Sequence, residues 1–139
     1  MPMIARCRCG AVEIEASGAP IVSTVCYCED CQTGSRQIEE LPGAALPKGY
    51  KIKEGSVTNR VAATCCHSAR LLNFDKGPFW VPVYRARLLG EPPPLEMRIC
   101  TRSRPAGGAI PNDAPSYAGY PPRLMMRFVA AGLGMLLRR

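Results

Sequence analysis

Apolar and polar residues alternate in several short stretches: Val12 and Ile14 against Glu13 and Glu15, Tyr50 and Ile52 against Lys51 and Lys53, Met97 and Ile99 against Glu96 and Arg98. A strand sends successive side chains to opposite faces, so this period of two predicts half-buried β-strands. Three further runs, Ile21 to Val25, Leu71 to Phe74 and Phe79 to Tyr84, are more continuously apolar and suit interior strands. Pro82 has no N–H to give to a ladder and therefore places the last of these at an edge or a bulge. The body of the chain is accordingly predicted to be mainly β.

The pattern changes after Arg104. Residues 105–122 are rich in Pro and Gly, including Gly107-Gly108 and Pro121-Pro122, and read as a long loop. Beyond them Leu124, Phe128, Leu133, Leu136 and Leu137 recur near helical spacing, which predicts a C-terminal amphipathic helix over residues 123–139 with Pro122 at its start and Arg138-Arg139 complementing its C-terminal dipole. Its uninterrupted apolar run, Phe128 to Leu137, is about half of the ~20 residues a membrane span requires, so no span is expected. Packing on the body, a partner or a membrane surface could each take its apolar side.

Composition adds a constraint on what holds these elements together. The 139 residues suit a single domain, yet aromatics make up only 6% while Gly and Pro number 13 and 14, which predicts many turns and help from something other than a large apolar core. The net charge of +7 is uneven: nine Arg against Glu91, Glu96 and Asp113 fall in residues 85–139, whereas residues 1–84 are nearly balanced. A basic half favours anionic partners, which could be small acidic metabolites, nucleic acid or a membrane surface. Scarce aromatics and scattered basic residues argue against a nucleic-acid stacking surface.

Eight cysteines supply the missing constraint. The opening Met-Pro-Met-Ile-Ala-Arg has no apolar stretch of a secretory signal, so a reducing cytoplasmic setting is expected, and clustered cysteines there are metal ligands more often than disulfides. Cys7-Arg8-Cys9-Gly10 offers two thiolates one residue apart, with Gly10 permitting the necessary turn. Cys26-Tyr27-Cys28-Glu29-Asp30-Cys31 supplies three soft ligands within six residues. Three thiolates leave one corner of a tetrahedral zinc for water or substrate, which marks a reactive ion; a fourth protein ligand such as Cys100 or His67 would instead close it. Cys65-Cys66-His67 can join Cys7 and Cys9 in a four-ligand site, provided the chain turns at Cys65-Cys66, and His67 could stand in for Cys65. Cys100 reads as a buried inert thiol. Iron suits clustered thiolates as well as zinc does.

Cys-x-Cys-Gly, then Cys-Tyr-Cys-Glu-Asp-Cys-Gln, then a late cysteine pair followed by a strand resembles the glutathione-dependent formaldehyde-activating family, which includes centromere-protein-V-like proteins, over about Ala5 to Thr101. The resemblance implies a zinc-stapled β fold of the Mss4-like kind over residues 1–104, with two zinc ions. Cys7 and Cys9 would be structural ligands, with Cys65 and Cys66. Cys26, Cys28 and Cys31 would hold the catalytic zinc, and Gly49 to Gly55 would be the strand and turn that follow. Where the family has Cys-x-x-Cys-Gly-Thr this chain has Cys65-Cys66-His67-Ser68, and position 63 is Ala63, so Cys65 must serve or the structural site loses a ligand.

The activity implied is that of a carbon-sulfur lyase on an adduct of glutathione and formaldehyde. Arg36, Arg60 or the Arg-rich second half could receive the two carboxylates of glutathione. Glu29 and Asp30, inside the ligand loop, are candidate proton relays. The competing reading is a non-catalytic zinc module that binds nucleic acid or protein through its basic second half.

Overall fold

A computed structural model describes residues 2–16, 18–32, 48–51, 53–76 and 80–137. Arg36, Ile52, Phe79, Arg138 and Arg139, which enter the expectations above, lie outside these residues. The contacts divide the chain into two compact units interleaved in sequence: unit 1 takes residues 1–18 and 32–92, unit 2 takes residues 19–31 and 93–139.

Unit 1 is antiparallel. Strands β1 (Met3–Arg6) and β2 (Glu13–Ala16) pair with Met3 opposite Ala16 and Arg6 opposite Glu13. The order β4-β5-β6 forms a second sheet from Lys48–Tyr50, Thr58–Ala62 and Ala69–Phe74, with a register shift between Val61 and Ala62. Among the described residues the buried apolar ones of this unit are all small: Ala5, Cys7, Ala62 and Ala63. Arg60 is buried with them and donates from Nη1 to the Tyr84 hydroxyl at 2.6 Å.

Phe79 to Tyr84 does not form the expected strand over its described part. Val83 makes a single bridge to Leu71, and the Leu72 N–H reaches the Pro82 carbonyl at 2.9 Å. The physical reason is Pro82, which accepts but cannot donate, so the segment borders β6 without building a ladder. In return β1, which carries no clear alternation, is a strand that the hydrophobic pattern does not announce.

Unit 2 is built on a parallel pair, β3 (Thr24–Cys26) with β7 (Met97–Ile99), whose members lie about seventy residues apart in sequence. Of the apolar run from Ile21, only its end is strand. The Pro/Gly-rich stretch is a loop, but one fastened along the other edge of β7: Arg98 N–H bonds to Pro115 O and Tyr117 N–H to Arg98 O, both at 2.8 Å, and Thr101 N–H bonds to Tyr117 O at 3.0 Å. Helix α1 (Pro122–Leu136) follows, with Pro at its first position where a missing N–H costs nothing. Met97, Ile99, Cys100 and Leu124 form the core of this unit, with Val22, Cys26, Cys28, Tyr117 and Phe128 packed against it.

Candidate metal centres

Two hairpin turns of unit 1 bring the first site together. Cys7 and Cys9 lie in the turn between β1 and β2, and Cys65 and Cys66 in the turn between β5 and β6. The first turn closes through the Gly10 N–H on the Cys7 carbonyl at 3.0 Å, with Gly10 at φ 83° where a side chain would be strained. The second turn needs the same left-handed residue after its cysteines, and His67 supplies it at φ 52°.

The four sulfurs all lie within 4.8 Å of one another. Individual separations are 3.6 Å for Cys7 to Cys9, 3.5 Å for Cys7 to Cys65, 3.2 Å for Cys9 to Cys65 and 4.0 Å for Cys65 to Cys66. A tetrahedral ion with bonds of about 2.3 Å to sulfur sets its ligands about 3.8 Å apart, so the cluster has the size of such a shell. A disulfide would require about 2.05 Å. Both adjacent cysteines take part because the turn removes the alternation that would send them to opposite faces. His67 belongs to neither cysteine group, whereas Cys65 lies in the four-sulfur one.

Polar hydrogens converge on these sulfurs. The Val12 N–H points at Cys7 Sγ at 3.3 Å, and the Ser68 hydroxyl lies 3.2 Å from Cys66 Sγ while accepting the Arg8 N–H at 3.1 Å. Burial by itself would raise the Cys7 thiol, but the bonds from Val12, Cys65 and Cys9 outweigh it and hold the group below its ordinary value. Burial is likewise overcome at Cys66, which the Ser68 hydroxyl and the N–H groups of Cys9 and Ser68 bring down to about 6. Cys65 moves the other way, to about 12, chiefly because the Cys9 sulfur sits against it. Four thiols this close cannot all ionise unaided, and a divalent cation removes that conflict.

Cys26, at the end of β3, and Cys28 and Cys31, in and beside the helical turn at residues 29–32, make the second group, their sulfurs also within 4.8 Å. The Cys31 N–H points at Cys28 Sγ at 3.4 Å. The Cys28 and Cys31 sulfurs, and then burial, push the Cys26 thiol far above its usual range, again the mark of crowded acids lacking a counter-charge. Among the described residues no His, Cys, Asp or Glu completes this group as a fourth member. Cys100 is buried, as expected, but it is no bystander: it shares the core with Cys26 and Cys28.

Two features here were not read from the sequence. Arg98 is buried in the middle of β7, where its Nε and Nη2 each donate to Asp113 at 2.9 Å and its Nη1 donates to the Tyr27 hydroxyl at 2.8 Å. Tyr27 stands between Cys26 and Cys28, so this fork fixes the ligand loop to β7 and to the Pro/Gly loop. Tyr120 keeps 59% of its surface exposed yet lies beside Cys100, and the partial burial of its ring, then the neighbouring Cys26 and Cys100, raise its phenol above the usual value. The signal for Arg98 was the Tyr within the cysteine motif, a polar ring needing a partner; nothing local marked Tyr120.

These placements also revise the candidate anion-binding arginines. Arg60 is buried on Tyr84 and Arg98 is buried and taken up by Asp113, while Arg127, part-exposed, pairs with Glu96. Arg102, Arg104 and Arg123 are exposed.

No curated protein matches the chain. The family model of the glutathione-dependent formaldehyde-activating enzyme matches residues 2–70, a stretch that contains all seven clustered cysteines and ends well before Thr101, where the resemblance was expected to run out. Through those residues and the two cysteine groups they carry, the chain belongs to the glutathione-dependent formaldehyde-activating enzyme family.

Proposed function

We propose that the chain binds two zinc ions in a Mss4-like β fold and acts in a cytoplasmic setting as a carbon-sulfur lyase on an adduct of glutathione, or a similar thiol, with formaldehyde. Cys7, Cys9, Cys65 and Cys66 would hold a closed structural ion, and Cys26, Cys28 and Cys31 an ion with one position left for substrate. The observation that carries this reading is the convergence of three sulfurs with no fourth ligand grouped with them among the described residues.

When bound there, zinc supplies a site at which a substrate sulfur stays ionised at neutral pH. In the direction of synthesis the thiol sulfur bonds to the carbonyl carbon, a carbonyl electron pair moves to oxygen, and the proton lost by the thiol ends on that oxygen. Cleavage breaks the same carbon-sulfur bond and returns the proton to sulfur. The chain's own part is to hold the three cysteines in register through Tyr27 and Arg98 and to keep the loop's inner side apolar with Ile99 and Cys100. Tyr120, beside Cys100, is the candidate to pass the proton, while Glu29 is exposed on the helical turn.

Metal analysis and kinetics on the same sample test this. About two zinc per chain, acceleration of adduct formation between glutathione and formaldehyde, and loss of that acceleration with one zinc retained in Cys28→Ser are expected. Wild-type protein carrying two zinc that leaves the uncatalysed rate unchanged would defeat the lyase reading, and iron in place of zinc would defeat the cofactor. The alternative module that binds nucleic acid through nine arginines in residues 85–139 predicts strongly salt-dependent DNA or RNA binding instead.

A further inference from the structure

Helix α1 is apolar on two sides. Leu124 and Phe128 face the core of unit 2. At about 100° per residue, Met125, Met126, Val129, Leu133, Leu136 and Leu137 gather on a separate arc of about 120°. That arc faces solvent: Met126, Val129, Leu133 and Leu136 each keep more than half of their surface exposed, and Leu137 keeps 88%. A globular protein has no reason to hold six aliphatic side chains of one helix in water, and a patch of this kind marks an interaction surface.

Charge indicates what covers it. Residues 114–139 contain Arg123, Arg127, Arg138 and Arg139 and no Asp or Glu. Arg123, exposed, lies just past one edge of the apolar arc, and Arg127 beyond it reaches Glu96. A second copy of the chain would bring the same cations to the contact with no acid in this segment to meet them. A bilayer surface needs no matching shape, accepts Leu, Met and Val at the boundary between headgroups and acyl chains, and supplies anions to a segment that has no acid of its own. The same helix is too short to cross, and among the described residues none is long and apolar enough to do so.

We propose that the exposed arc of α1, from Met125 to Leu137, is a docking surface for an anionic lipid bilayer, on which the helix lies flat.

Flotation of the full-length, metal-loaded protein with vesicles tests this. One set is pure phosphatidylcholine, the other phosphatidylcholine with one third phosphatidylglycerol. Binding to the anionic set is expected to exceed that to the neutral set by about tenfold and to weaken as salt is raised. Leu133→Glu and, separately, Met126→Glu should each lower it by about tenfold or more while metal content and far-ultraviolet circular dichroism stay those of the wild type. Arg123→Gln should reduce the preference for the anionic set. Failure to float with anionic vesicles, or flotation unchanged in both Glu variants, overturns the proposal. So does a lipid-free wild-type dimer that Leu133→Glu converts to a monomer, since a second copy would then be the occupant.

Discussion

His67 shows how one residue can be recruited against its own preference. The turn that presents Cys65 and Cys66 needs a left-handed backbone, which Gly10 provides without strain in the matching turn and which His67 adopts at φ 52°. For a residue with a Cβ this conformation costs about 1–2 kcal/mol, part of which glycine returns through its looser unfolded chain. His67→Gly should therefore stabilise the metal-loaded protein by up to about 1 kcal/mol, seen as a higher melting temperature with unchanged zinc content. A lower melting temperature would show that the imidazole makes a contact worth more than the strain. Tyr27 poses the opposite test. Its hydroxyl accepts from the buried Arg98 at 2.8 Å, and Tyr27→Phe leaves one donor of that guanidinium without its partner. A loss of about 1–2 kcal/mol in stability is expected. If the fork positions the ligand loop, the sulfur-to-metal absorption of a cobalt-substituted three-cysteine site should also shift; an unaltered spectrum would reduce Tyr27 to a packing residue.

At the scale of elements, what was legible is what local chemistry dictates. Alternation marked β2 and β7 but only the last residue of β4, which ends at Tyr50 where the alternation begins; spacing marked both cysteine groups, and Pro122 with Leu124 and Phe128 marked α1, because each depends on neighbours within a few residues. What was not legible depends on distant partners. β7 reads as half-buried, yet Met97, Arg98 and Ile99 are all buried, since Asp113 and Tyr27 satisfy a charge that would otherwise face water. The parallel pairing of β3 with β7 brings together segments with no loop of their own to set register, and the Pro/Gly stretch became the neighbour of β7 through backbone bonds that carry no sequence signature. For α1, two periodicities overlap, and only the packing says which apolar side is inward. Leu124, 1% exposed, is that anchor. Leu124→Ala should cost about 3 kcal/mol in denaturant unfolding, as removal of a buried Leu generally does. Leu133→Ala, on the solvent arc, should change stability by less than about 0.5 kcal/mol. Equal costs at the two positions would mean that α1 is rotated from the orientation described.

The molecule as a whole divides its sources of stability between two units. Unit 2 has an apolar core of its own, with Met97 and Leu124 fully enclosed, whereas the buried apolar residues described in unit 1 are Ala5, Cys7, Ala62 and Ala63. Alanines bury little surface, so at about 25 cal/mol per Å² these four residues offset little of the entropy of ordering the strands of this unit. An ion binding four cysteines can offset more, because structural zinc contributes an apparent ~10 to 16 kcal/mol in peptides that fold around it. Metal removal should therefore act unevenly. In Cys9→Ser, or after chelation, backbone amides of β5 and β6 should lose most of their protection from hydrogen exchange, while those of β7 and α1 should keep theirs until the unit unfolds. Uptake should also release protons, since Cys65 is held protonated to about 12 and Cys26 higher still before a cation arrives, so zinc affinity should rise as pH increases from 6 to 8. Unaltered protection across Thr58–Phe74 in metal-free protein would mean that unit 1 folds on its alanines and turns alone, leaving the four sulfurs close together for some reason other than stability.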